Sequence, residues 1–208
     1  MYPQDSQMYL TAARLADGPR YGRGVSPRPA ATVILLRDGT NGLELLMVKR
    51  NPSARFMGAH WVFPGGAVDP VDGVGEAALA AAARRELREE TGIQLDAGAE
   101  LVLYARWITP ERAPVRFDTC FYLASAPAGQ KPAVDEAEIV AARWLTPQQA
   151  IELNAQGGFE LAFPTRRQLE QLAGFASAEQ LLTRSRERTD IVEPVMPVIT
   201  DTGEIVLP

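Results

Sequence analysis

The chain has 208 residues, a formal net charge of −5 and 46% hydrophobic residues. These values suit one globular domain with appended elements, large enough to bury a sizeable core, and they argue against bulk nucleic-acid binding, which favours basic surfaces. The single Cys120 excludes an intramolecular disulfide, and no apolar run reaches the length of a signal peptide core or a membrane span, so a cytoplasmic protein without nucleic-acid or membrane partners is expected.

Residues 1–28 read as a tail. Met8–Leu15 has some helical character, but Gly18, Pro19, Gly22, Gly24 and Pro27 break regular structure. A draped arm is the simpler reading, and an exchanged arm would make the protein a homodimer. Ala31–Leu36 is apolar and β-branched, as a buried strand requires. Arg37–Gly42 carries hairpin-turn residues, and Leu43–Lys49 is the return strand. The loop 49–60 brings Lys49, Arg50 and Arg55, which suit either phosphate binding or plain solvation. His60, the only histidine, precedes a short strand at Trp61-Val62-Phe63, and a structural role is favoured for it.

The stretch Phe63–Ile93 is the most informative. It opens with Phe63-Pro64-Gly65-Gly66, a tight turn, crosses an Asp/Pro/Gly loop and enters an alanine-rich helix. Glu86, Glu89 and Glu90 close that helix, and Gly92 stands where it would stop. Residues three and four apart share one side of a helix, so the three acids are neighbours. Glu86 and Glu90 fall within ~20° of Leu79 on the helical wheel. Leu79, Ala83 and Leu87 form the expected apolar stripe, so two acids border the buried side. Like charges at that spacing repel by about 0.2–0.5 kcal/mol, and the negative end of the helix dipole adds to the cost. Arg85 can take one carboxylate. A divalent cation would take the rest, and hard oxygen ligands suit Mg²⁺ or Mn²⁺. A surface helix laced with Arg–Glu pairs is the competing reading. The adjoining Gly-Gly turn and the facing of the acids favour the metal.

Farther on, Leu101–Trp107, Val115–Ala124 and Glu138–Leu145 read as strands. The loop Ile108–Pro114 is expected near a pocket. Pro147–Asn154 reads as a helix capped by Thr146. Phe163–Gly174 and Ser177–Arg186 are further helices, and Ile191–Pro208 is extended and suited to an edge strand. Cys120 lies in a strand and reads as a small buried hydrophobe. Strands on both sides of the acidic helix, with helices last, suit a mixed sheet held between helices.

Arg85-Glu86-Leu87-Arg88-Glu89-Glu90-Thr91-Gly92-Ile93 resembles the second half of the Nudix box, and Gly65-Gly66 resembles its opening. Gly66 to Arg85 spans nineteen positions, five more than usual, so the loop 69–74 reads as holding a five-residue insertion. Counting back from Arg85, the first acid of the box would fall at Ala77, and the nearest acid is Glu76. Arg55–His60, Val62–Gly66, Asp69, Asp72, Trp107–Pro110, Arg116–Thr119 and Pro164-Thr165 are similar to the branch that includes the peroxisomal coenzyme A diphosphatase. The resemblance covers most of Ala31–Leu182.

The resemblance implies an α/β fold, a Nudix-type α/β/α sandwich with a mixed β-sheet and additional C-terminal helices. Expected boundaries are a tail at 1–28, a Nudix domain at 29–190 and an extended segment at 191–208. It implies a metal-dependent hydrolase that cleaves a nucleoside diphosphate linked to another moiety, CoA or acyl-CoA first. ADP-ribose or a nucleotide sugar is the alternative substrate, and a non-catalytic nucleotide-binding module the alternative class. In that mapping Glu86 and Glu90 bind Mg²⁺ or Mn²⁺, with the Gly65 carbonyl as a further ligand. Glu89 binds metal or water, and Arg85 orients the acids. The general base is sought among Glu138, Glu136 and Asp135, in that order. Arg50 and Arg55 are the candidate substrate-binding residues.

Overall fold

The computed structural model describes residues 25–54, 56–134 and 136–207. The expected N-terminal helix, Arg55 and Asp135 lie outside them, as does most of the expected tail. Strand β1 (Arg28–Gly39) turns through Thr40-Asn41 into β2 (Gly42–Arg50). Gly39 pairs with Gly42, which holds φ +96°, a conformation open to a residue without Cβ. The two strands pair only over 36–39 against 42–45. Beyond that they part. β3 (Trp61–Val62) pairs with β2 and β4 (Gly65–Ala67) pairs with β1, so the segment between them occupies the split. The Pro64 carbonyl accepts the Val33 N–H at 2.8 Å there. The Gly-Gly turn is thus held inside the sheet.

Strand β6 (Phe117–Ser125) runs parallel to β1 on its other side, and β5 (Val102–Ile108) is antiparallel to β6. β7 (Ile139–Leu145) lies antiparallel to β2. At the far edge β8 (Pro194–Val195) pairs in parallel with β5. β9 (Val198–Ile199) and β10 (Ile205–Val206) make a separate hairpin. The extended C-terminal segment therefore supplies an edge strand, as expected, and a small hairpin besides.

Helix α1 (Glu76–Thr91) covers one face of the mixed sheet; α2 (Pro147–Gln156), α3 (Phe163–Leu172) and α4 (Ala178–Arg186) cover the other. Side chains alternate along a strand. Ala31, Val33 and Leu35, with Cys120, Tyr122 and Ala124, pack against Ala82, Ala83 and Leu87 of α1. Ile34, Leu36, Phe121 and Leu123 join the core under α3 and α4. The result is the expected α/β/α sandwich. Among the described residues no helix is long and apolar enough to cross a membrane.

Local chemistry accounts for the helix ends. Thr146 Oγ1 accepts from the Gln149 N–H, and Gln149 accepts from the Thr146 N–H, a reciprocal cap. Ser177 Oγ accepts from the Gln180 N–H. Gly92 ends α1 in the left-handed region at φ +70° and donates to the Arg88 carbonyl at 2.8 Å. One expectation needs correcting. The buried stripe of α1 runs through Ala78, Ala82, Ala83 and Leu87, while Leu79 is only partly covered. Alanines carry nothing beyond Cβ, so the helix can lie close on β1 and β4. The loop 69–74 holds a single 3-10 turn, Pro70–Asp72, in which the Asp72 carboxylate accepts the Asp69 N–H at 2.8 Å.

Candidate active site

The last turns of α1 lie against the Gly-Gly turn. Glu90 is only 4% exposed. Its carboxylate accepts the Gly65 N–H at 2.9 Å and has the Arg50 guanidinium at 3.9 Å. Burial pushes the Glu90 carboxyl up to about 8, against the opposing pull of the Gly65 hydrogen bond and Arg50. Burial also raises Glu86, with Arg85 opposing it, and the charge of Glu138 bears on both acids. The two glycines make this packing feasible. A Cβ on Gly65 would sit 2.5 Å from the Ala31 carbonyl oxygen, and one on Gly66 would sit 2.5 Å from the Glu86 carboxyl group. The turn is bare so that backbone and carboxylates can meet.

Arg85 organises the polar side. Nε donates to Asp72 Oδ1 at 2.9 Å and Nη2 to Asp72 Oδ2 at 2.9 Å. Nη2 also reaches the Ala67 carbonyl at 3.0 Å. Nη1 donates to Glu86 at 2.7 Å and to Glu89 at 3.0 Å. A guanidinium has five N–H donors, and each has an acceptor here. Asp72 raises the Arg85 pKa further, and Arg85 in turn holds Asp72 below the usual carboxylate range. The sequence reading missed Asp72 as Arg85's partner because it counted back from Arg85 to Ala77. Counted forward, Asp72 stands six positions after Gly66, the offset at which the box places its first acid. The insertion therefore lies after Asp72. Ala77 and Glu76 are both exposed at the start of α1.

Gly65, Gly66, Glu86 and Glu90 border a cavity of about 320 Å³. Glu86, Glu90, Arg50 and Glu138 are the charged residues of its wall among the described residues. The rest is mostly apolar, with Phe56, Met57, Trp107, Phe117 and Phe121 prominent. The Phe56 and Phe117 rings tilt together at 5.6 Å between centroids. Arg50 Nε is buried without a hydrogen-bond partner. Asn51 ties the neighbouring loop in place, its N–H donating to the Glu138 carbonyl at 2.7 Å and its Nδ2 to the Ala137 carbonyl at 3.0 Å. Glu138 is thereby carried to the acids by the start of β7.

The structure thus brings together Glu86, Glu90, Gly65, Arg50 and Glu138. Glu89 is placed differently. Its side chain is 51% exposed, held by Arg85, and it is not part of the cavity wall. His60 is bonded locally, ring Nδ1 to the Gly58 carbonyl at 2.9 Å, and Cys120 is buried in β6. Among the described residues no three Asp, Glu, His or Cys side chains already converge as a complete ligand set. A buried carboxylate, Glu90, and a partly buried one, Glu86, do face the cavity, with no His or Cys side chain in its lining. That donor chemistry fits a hard divalent cation.

Four similarities bear on this geometry. The NUDIX domain family model matches residues 26–163. The putative nudix hydrolase 7 of Caenorhabditis elegans is 29% identical over 182 residues, 70% of this chain and 60% of that protein. The chain therefore spans less than two thirds of that relative's length. Among solved structures, a NUDIX hydrolase from Alicyclobacillus acidocaldarius superimposes with a TM-score of 0.69 at 27% identity, covering 82% of this chain and 99% of the other. A MutT NUDIX hydrolase from Burkholderia pseudomallei does so with a TM-score of 0.52 at 27% identity, over 71% of this chain and 99% of its own. With a family match over most of its length and the acids of the box packed on their Gly-Gly turn, the chain belongs to the Nudix domain family.

Proposed function

We propose that the protein is a metal-dependent hydrolase that cleaves the diphosphate bond of a nucleoside diphosphate joined to a second group, with CoA or an acyl-CoA as its substrate. One observation carries the reading: a single cavity is lined both by the carboxylates Glu86 and Glu90 and by the aromatic side chains Phe56, Phe63, Trp107, Phe117 and Phe121. A diphosphate needs the first and an apolar arm the second. Beyond the acids, the charged and hydroxyl side chains that a nucleotide sugar would meet there are Arg50, Glu138 and four threonines, against a larger apolar and aromatic set. The resemblance to the peroxisomal coenzyme A diphosphatase branch, carried by Phe56, Met57, Phe117 and Thr119 among others, supports the same choice.

In this reading Glu86 and Glu90, with the Gly65 carbonyl, hold Mg²⁺ or Mn²⁺. The ion, when bound, neutralises charge on the phosphoryl oxygens and lowers the pKa of water. Arg85, braced by Asp72, fixes the rotamers of Glu86 and Glu89. Glu89, at the solvent edge, completes the ligand set or orients water. Glu138 approaches from β7 and takes the proton of the attacking water. Arg50, whose side chain lines the cavity, and Arg55 hold the phosphates.

The test is a turnover screen with Mg²⁺ and Mn²⁺ over CoA, acyl-CoA, ADP-ribose, NADH and nucleoside triphosphates. The expected result is metal-dependent release of a phosphopantetheine product from CoA or its thioesters. Cleavage of ADP-ribose without CoA would overturn the substrate. Absence of any diphosphate cleavage would overturn the hydrolase.

A further inference from the structure

We propose that the C-terminal strap formed by β8, β9 and β10 sets substrate selectivity, and that Pro197 is its contact with the acyl or pantetheine arm. The inference rests on the hydrolase reading of the cavity. It begins with an observation about length: the family match ends at residue 163, yet Pro197 lies in the cavity wall and is buried. A residue 34 positions beyond the matched domain thus helps to shape the site.

The strap is placed by its flanks. On one side β8 pairs with Arg106 and Trp107 of β5, and Trp107 itself lines the cavity. On the other, Ile205 of the hairpin is 8% exposed in the core, with Ile199 packed beside it. Two arginines of the loop before β6 pin the strap. Arg112 donates to the Ile199 carbonyl at 3.3 Å and to Asp201 at 2.8 Å, and Arg116 Nη2 lies 3.7 Å from Met196 Sδ. Pro197 belongs to the two-residue link between β8 and β9 and cannot move independently of them.

The position and chemistry of Pro197 identify the part of the substrate it meets. In the sheet, β8 is three strands away from β1, roughly 14 Å at the usual strand spacing. The acids pack against β1 and β4, so the strap borders the opposite end. A proline has no N–H and a rigid ring. It offers apolar area and no donor, which suits an alkyl or thioether chain and not a hydroxyl-rich sugar.

The experiment compares wild-type protein, Pro197→Trp and Pro197→Ala, using CoA, short and long acyl-CoA and ADP-ribose. For Pro197→Trp the ratio of kcat/KM for long acyl-CoA to that for ADP-ribose should fall at least tenfold, with the loss in KM. Pro197→Ala, which only trims the ring, should move the ratio the same way by a smaller factor, and an unchanged ratio in both variants overturns the proposal. An unchanged ratio in folded Pro197→Trp overturns the proposal, as does an equal loss on every substrate. If wild-type protein cleaves no diphosphate, it is the hydrolase reading that fails. Calorimetric binding of CoA to wild-type and Pro197→Trp protein then judges the strap: a tenfold weaker affinity upholds it, and equal or absent affinity overturns it.

Discussion

The two ends of the cavity are built on different principles. At the acid end, directional bonds do the positioning. All five donors of Arg85 are engaged, Glu90 is clasped by a backbone N–H, and Gly65 and Gly66 leave no room for a side chain. At the other end, Phe56, Trp107, Phe117 and Pro197 come from four separate segments and meet the cavity only with apolar surface. Hydrogen bonds fail abruptly when a partner is removed, whereas contact area is lost in proportion. The acid end should therefore be intolerant of substitution, and the apolar end should be tunable.

The largest effect should come from Glu86→Gln or Glu90→Gln. Each is expected to lower kcat by on the order of 10³, the loss of about 4 kcal/mol of charge stabilisation. Steady-state kinetics with Mn²⁺ checks this, and a loss under tenfold would remove that acid from the mechanism. Glu90 also makes a prediction for the metal-free protein. Its carboxyl is raised in the folded state to about 8, above its value in the unfolded chain. Between those two values the folded state binds more protons than the unfolded one, so stability falls as pH rises. Melting temperatures in chelator should drop from pH 5 to pH 8.5, and Glu90→Gln should flatten that slope. A wild-type slope of the opposite sign would contradict the burial argument.

Asp72→Asn comes next. It keeps the shape but removes the charge that grips Arg85, and disturbance of such an outer partner costs about 10–100-fold in metal affinity or activity. Mn²⁺ titration followed by magnetic resonance reads the affinity directly. Asp72→Glu should recover part of the loss; Asp72→Asn with unaltered Mn²⁺ affinity would make Asp72 merely a loop cap. At the apolar end Phe117→Ala should raise KM about tenfold, roughly 1.4 kcal/mol, and leave kcat near wild type. Equal damage to kcat would erase the contrast between the two ends. The smallest effect is expected remote from both. Gly92→Ala forces a left-handed residue to carry a Cβ and should cost about 1 kcal/mol, visible in urea unfolding with little change in turnover.

What could be read from the sequence was what local spacing encodes. Thr146 and Ser177 announced their helices, Asp38 to Gly42 announced the hairpin, and Gly92 announced the end of α1. The acids at 86 and 90 were placed toward the body of the protein by helix period alone. Long-range pairing left no such trace. Nothing in 28–50 says that β1 and β2 separate to admit the Gly-Gly turn, because both strands read as continuous apolar runs. The orientation of Glu89 depends on how Arg85 divides its donors, and that division depends on Asp72, thirteen positions earlier across a 3-10 turn. The place of Pro197 in the cavity wall was invisible for the same reason: the strand just before it pairs with Trp107, which is far away in the chain.

Cys120 gives the molecule a built-in clock. It is the chain's lone thiol, 7% exposed on β6 between β1 and β5, and burial raises its pKa. Thiol reagents need an accessible thiolate, so in the closed sheet the sulfur should stay silent. Each reaction with a maleimide or disulfide reagent would then mark an excursion in which the central strands have come apart. The labelling rate, measured with and without Mn²⁺ or a nucleotide, would report how firmly each ligand keeps the sheet shut.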